Sequence, residues 1–145
     1  MSLKAFLIVL AILAVPWYVY HAMHWRRKRR WKRGFLARKD SQVGWQSRFP
    51  DAMPLVEKVL AIFCVAYLFN ERDKYRFRPD DRVMQIYKHT TGPIADEMQL
   101  ETFSLHIRDE FGVDLLDIFD ENTTLGDVVQ TISGRTQTGS PAGAT

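Results

Sequence analysis

Carboxylates dominate the chemistry-bearing residues of the second half of the chain. Between residues 96 and 127 stand ten acids, Asp96, Glu97, Glu101, Asp109 and Glu110 among them, against the single arginine Arg108. Paired carboxylates serve glycoside hydrolysis, but acids at this density occur on any acidic helix face, and no pair is marked as acid and base. Nucleophilic catalysis is no better provided for. His89 and His106 have no Ser or Cys at the spacing of a known motif, and neither a Gly-rich phosphate loop nor a zinc signature is present. His21 and His24 share a helix face, yet two imidazoles fall short of the three or four ligands of a zinc site and read as polar residues. Cys64, the sole cysteine, permits no intramolecular disulfide and no multi-thiolate site; it lies in an apolar run and reads as core. Catalysis, a metal and a cofactor are therefore not expected.

The acids must be positioned by helices. Asp96 is expected to cap a second helix, with Gln99 completing a capping box. Leu100, Phe103, Ile107 and Phe111 recur at spacings of three, four and four, a stripe facing a core, and Gly112 ends the helix. At about 100° per residue, Met98 and Leu105 fall opposite that stripe, beside Glu101 and Asp109, with Glu97 and Glu110 more lateral. Apolar studs within an acidic face suit the docking of a basic protein, the charges steering and the studs anchoring. An ordinary solvated helix with two exposed apolar residues has the same pattern.

Around it, residues 55–69 read as a buried first helix, with Pro54 suited to its first turn. Pro79-Asp80-Asp81 opens a turn or short helix through Val83, Met84, Ile86 and Tyr87. Thr124 with Asp127 forms a second capping box before Leu125, Val128, Val129 and Ile132, which define a third helix ending near Gly134. No segment alternates with period two. The fold class is all-α, a small three- to four-helix bundle over residues 54–134.

The first 49 residues are different. They hold eleven Lys/Arg against one acid, +10, whereas residues 50–145 hold nine against sixteen, −7, which together make the net +3. Nucleic-acid binding is disfavoured, because the positive charge is confined to one end rather than spread over the folded part. Residues 5–25 carry no Asp, Glu, Lys or Arg, and as a helix they reach roughly 30 Å, a bilayer's hydrocarbon thickness. Residues 3–25 are thus expected to be a transmembrane helix, with Pro16 tolerated inside it. A cleaved signal peptide fits less well, because the charge follows the apolar run. Arg26, Arg27, Lys28, Arg29, Arg30, Lys32 and Arg33 then place the body on the cytoplasmic side and the N-terminus outside, the inner membrane in a bacterium. The same block would attract anionic membrane lipids. Residues 26–53 read as a basic juxtamembrane segment and tether, and residues 135–145, rich in Thr, Gly, Ser and Ala, as a disordered tail.

The run Ala95-Asp96-Glu97-Met98-Gln99-Leu100-Glu101, continuing to Asp109-Glu110-Phe111-Gly112, resembles the second helix of an acyl carrier protein. That family shows Asp-Ser-Leu, an acidic amphipathic helix, then Glu-Glu-Phe. Thr123-Thr124-Leu125-Gly126-Asp127-Val128-Val129 resembles the start of the family's last helix. The likeness covers roughly residues 55–134, with the first helix and loop matched only in length and polarity. In the family, the serine of Asp-Ser-Leu carries the phosphopantetheine arm. Here the motif reads Asp96-Glu97-Met98, and a carboxylate at Glu97 cannot be the hydroxyl nucleophile that accepts the arm. Ser104 lies two turns along, inside the helix, and is a poor substitute.

Joined to the expected anchor and acidic face, the resemblance implies a membrane-anchored, non-catalytic carrier-like protein without the arm, docking a basic partner through Met98, Glu101, Leu105 and Asp109. Lipid or acyl-chain enzymes are the implied partner class. An active carrier modified at an atypical site and a structural subunit of a membrane complex are the competing readings.

Overall fold

A computed structural model describes residues 3–90, 98–116 and 118–138. The chain divides into two compact units, residues 1–35 and 36–145. The described residues are all-helical, relieved by one isolated antiparallel bridge between Arg82 and Thr124.

The first unit is helix α1, Leu3–Leu36, which continues through Pro16 and the basic block. Among the described residues no helix is long and apolar enough to cross a membrane. That corrects the expected transmembrane helix 3–25, and with it the single-pass placement that put the N-terminus outside and the domain in the cytoplasm. A charge-free run need not be an apolar one. Residues 5–15 are purely aliphatic or aromatic hydrocarbon, about 16 Å of helix against the roughly 30 Å required. Residues 16–25 add Pro16, two Trp, two Tyr and two His, whose polar atoms are costly to desolvate. The histidines are held among rings, His21 4.3 Å from Trp17 and His24 stacked on Tyr20 at 6.4 Å.

In the second unit, α3 (Met53–Ala66) is the central element and packs against α2 (Gln42–Arg48), a 3-10 helix (Glu71–Arg76), α5 (Met98–Phe111) and α6 (Leu125–Thr138). Helix α4 (Val83–Thr90) buries Val83 and Ile86. Pro54 occupies the first turn of α3, as its missing N–H favours. The C-terminus of α3 closes in a Schellman motif, with Phe69 N–H donating to Cys64 O at 2.8 Å and Leu68 N–H to Val65 O at 3.3 Å. Leu68 takes the left-handed position that glycine usually fills, φ 56°.

Phe63 is the centre of the core. Tyr67 stacks on it at 4.3 Å, and Phe77 and Phe103 meet it edge-on at 5.1 and 5.2 Å, geometries that the ring quadrupole favours. Leu125, Val128, Val129 and Ile132 on α6 are all fully buried. The capping box at the start of α6 is reciprocal: Asp127 N–H donates to Thr124 Oγ1 (3.1 Å) and Thr124 N–H to Asp127 Oδ2 (2.9 Å).

Residues 36–53 are not a tether. Trp45 on α2 is fully buried and its indole N–H donates to Phe77 O at 2.7 Å. Ser41 Oγ lies 2.6 Å from the same carbonyl, and Arg38 pairs with Asp81 at 2.7 Å. At seven residues α2 is under two turns, too short to show a period, and its stability comes from these tertiary contacts. At the other end, α6 runs four residues beyond Gly134, so 135–138 are helical rather than part of a disordered tail; residues 139–145 lie outside the described residues.

Gly126 marks a close approach. Its N–H donates to Pro79 O at 2.8 Å, and a Cβ there would meet that oxygen at 2.9 Å and the Arg48 guanidinium at 3.1 Å. The first turn of α6 is thereby pinned to the chain entering α4.

Candidate docking groove on helix α5

Helix α5 is held by one face. Phe103, Ser104 and Ile107 are buried, while Leu100 and Phe111, at the ends of the expected stripe, are half-buried. The buried arc is thus narrower than the stripe and includes a serine. At the start of α5, the hydroxyl of buried Thr90 on α4 lies 3.0 Å from Ile86 O and 3.1 Å from Gln99 Oε1. Gln99 thus contacts α4; Asp96, its expected capping partner, lies outside the described residues. At the C-terminal end of α5, Glu110 pairs with Lys58 on α3 at 2.7 Å.

The loop leaving α5 shapes the outer face of the helix. Gly112 adopts φ 68° and its N–H donates to Arg108 O at 2.8 Å, ending the helix in the manner that favours glycine. Val113 and Leu115 then bury, and the Asp114 carboxylate accepts the N–H of Leu116 at 3.0 Å. This Asx turn sends Leu116 outward, the neighbour of a fully buried leucine.

The result is a groove of about 350 Å³ lined by Met98, Glu101, Thr102, Ser104, Leu105, Arg108 and Leu116. Met98, Leu105 and Leu116 expose 60%, 45% and 53% of their surface. Three large apolar side chains at the rim of one depression form a clustered apolar patch, whereas scattered single ones are ordinary surface.

Of the residues expected from sequence, the structure brings Met98, Glu101 and Leu105 together. Asp109 is separate, lining a second, shallower depression with Ile62, His106 and Glu110. The other charged edge of the groove is Arg108. Asp96 and Glu97 lie outside the described residues. Ser104 borders the same groove but is only 3% exposed. In the basic block Arg26, Arg27, Arg29, Arg30 and Arg33 are exposed, and Lys28 and Lys32 are half-buried.

No family model, curated protein or solved structure matches the chain.

Other reactive groups are ill-placed for chemistry. Cys64 is fully buried, and desolvation, with the charges of Asp73 and Glu71, pushes its thiol up to about 12. A thiol so buried is inert at neutral pH. Among the described residues no group of His, Cys, Asp or Glu is placed to hold a metal. Sequence reasoning missed Leu116 and Arg108. For Leu116 the signal was present: Gly112 ends the helix and Asp114 opens a turn, which sends Leu115 and Leu116 to opposite sides.

Proposed function

We propose that the second unit is a non-catalytic, acyl-carrier-like docking module whose ligand is a basic protein seated in the α5 groove. The supporting observation is the exposure of Met98, Leu105 and Leu116 around one depression with Glu101 on its rim. Charge agrees. From residue 36 onward the chain carries twelve Lys/Arg and seventeen acids, a net −5, which steers a cationic partner toward it. Glu101 and Arg108 stand seven residues apart on α5, about 10 Å along the axis, so a partner pairs a cation with Glu101 and an acceptor with Arg108. That arrangement fixes its direction in the groove. With Glu97 in the family's serine position and Ser104 only 3% exposed inside α5, no phosphopantetheine arm is carried.

Photo-crosslinking residues placed at Leu105 and Leu116 test this. One protein should attach at both positions and not at exposed Gln130 on α6, and Glu101→Lys should abolish the product. Capture that is equal at all three positions, or indifferent to Glu101→Lys, removes the docking reading. Intact mass after incubation with a phosphopantetheinyl transferase and coenzyme A should be unchanged; a gain of one arm would make the domain a carrier.

A further inference from the structure

The seven cations of residues 26–33 are not equivalent. Lys28, Trp31 and Lys32 are half-buried and Phe35 is buried, with Trp31 and Phe35 stacked at 4.9 Å. Burial lowers the Lys28 pKa, and Lys32 beside it lowers it further. The exposed cations are all arginines: Arg26, Arg27, Arg29, Arg30 and Arg33. At about 100° per residue these five occupy one arc of roughly 160°. Among the described residues none of them carries an ion pair; Arg29 lies over the Trp25 ring at 5.1 Å.

Followed toward the N-terminus, the same arc becomes apolar. Ile12, Val15, Val19 and Met23 fall within it by the same angular count, and all are exposed. Tyr18 and Trp25 stand at its margin, also exposed. One face of α1 is therefore hydrocarbon from Ile12 to Met23 and guanidinium from Arg26 to Arg33, with aromatic rings beside it. A surface that covers the whole face must itself change from apolar to phosphate-bearing over a short depth. The boundary between acyl chains and phosphate headgroups makes that change. A nucleic-acid backbone would engage the arginines and leave Ile12, Val15, Val19 and Met23 in water.

We propose that this face of α1 is a peripheral binding surface for anionic phospholipid, with the arginines on headgroup phosphates and Ile12 to Met23 at the acyl boundary. Guanidinium suits the first task, because its planar fork donates in pairs to phosphate oxygens. The contact lies on the surface and needs no crossing of the bilayer. It is independent of the α5 groove.

Full-length protein is mixed with vesicles of equal parts phosphatidylglycerol and phosphatidylcholine, with pure phosphatidylcholine vesicles and with duplex DNA, and partitioning is measured by sedimentation or retardation. Binding to the mixed vesicles should exceed the other two and weaken with salt. Each exposed arginine contributes a factor of about five, so Arg27→Gln with Arg30→Gln should lower partitioning roughly 25-fold. Val19→Ser with Met23→Ser, which leaves charge untouched, should lower it as well. Circular dichroism and the fluorescence of buried Trp45 verify folding of each variant. Tighter binding to DNA than to the mixed vesicles, equal binding to both vesicle types, or indifference to either substitution pair overturns the proposal.

Discussion

Val59, Leu60, Phe63 and Cys64 on α3 are fully buried, whereas Ile12, Val15, Val19 and Met23 on α1 expose between 48% and 67% of their surface. Both runs are uncharged, both supply large apolar side chains, and both form helix. Indoles of the two units divide in the same way: Trp45 on α2 is fully buried with its N–H on Phe77 O, while Trp17 and Trp25 on α1 are exposed. Apolar composition makes a helix adhesive; only a complementary neighbour makes it core. Helix α3 has such neighbours in α2, α5, α6 and the 3-10 helix, so its burial is a property of the fold. On α1 the corresponding side chains are exposed.

The contrast is broken most directly at Phe63. Phe63→Ala should destabilise the second unit by about 3–5 kcal/mol in urea unfolding, because a cavity is left among Tyr67, Phe77 and Phe103. Met23→Ala on α1 should shift the same transition by less than about 0.5 kcal/mol. Comparable effects would mean that α1 is folded into a core. Trp45→Phe should cost about 2 kcal/mol through lost volume and a lost indole hydrogen bond. The loss is softened because Ser41 still reaches Phe77 O. Trp25→Phe should leave the midpoint within about 0.5 kcal/mol of the parent.

A gentler change sharpens the comparison. Tyr67 is buried, its hydroxyl has no hydrogen-bond partner among the described residues, and burial, aided by Tyr87, holds its pKa far above the usual range. Tyr67→Phe should therefore stabilise the unit by about 1 kcal/mol, whereas Tyr20→Phe on exposed α1 should change nothing measurable.

The smallest effect belongs to Asp120, in the loop before α6. Its carboxylate accepts N–H groups of Asn122 and Thr123 and the Thr123 hydroxyl, which lower its pKa below the ordinary 3.8. A depressed folded value means that its stabilisation is complete above the ordinary carboxylate pKa and is lost as pH falls through the folded one. Asp120→Asn should flatten the acid limb of the urea midpoint against pH and leave the alkaline limb as it was.

Local chemistry was legible along the chain wherever a backbone group finds its partner within a few residues. Thr124 and Asp127 cap α6 by hydrogen bonds three residues apart, Gly112 ends α5 through its own left-handed φ, and Leu125, Val128, Val129 and Ile132 announce their buried face by period. The outward placement of Met98, Glu101 and Leu105 comes from the same helical arithmetic. Residues 36–53 show the opposite case. Trp45, Ser41 and Arg38 find their partners 32 to 43 residues away, a distance over which no pattern in the sequence signals the pairing.

The sequence by itself determined that α3, α5 and α6 are helical, which of their faces are apolar, and that charge separates into a basic first third and an acidic remainder. Only the tertiary structure decided that α2 belongs to the core, that Leu116 and Arg108 join Met98, Glu101 and Leu105 in a groove, and that Asp109 does not. It also divided the exposed arginines of α1 from its half-buried lysines. The reason is physical: periodicity reports the direction in which a side chain leaves its own helix, while burial, hydrogen-bond partners and grooves depend on what the rest of the chain places opposite it.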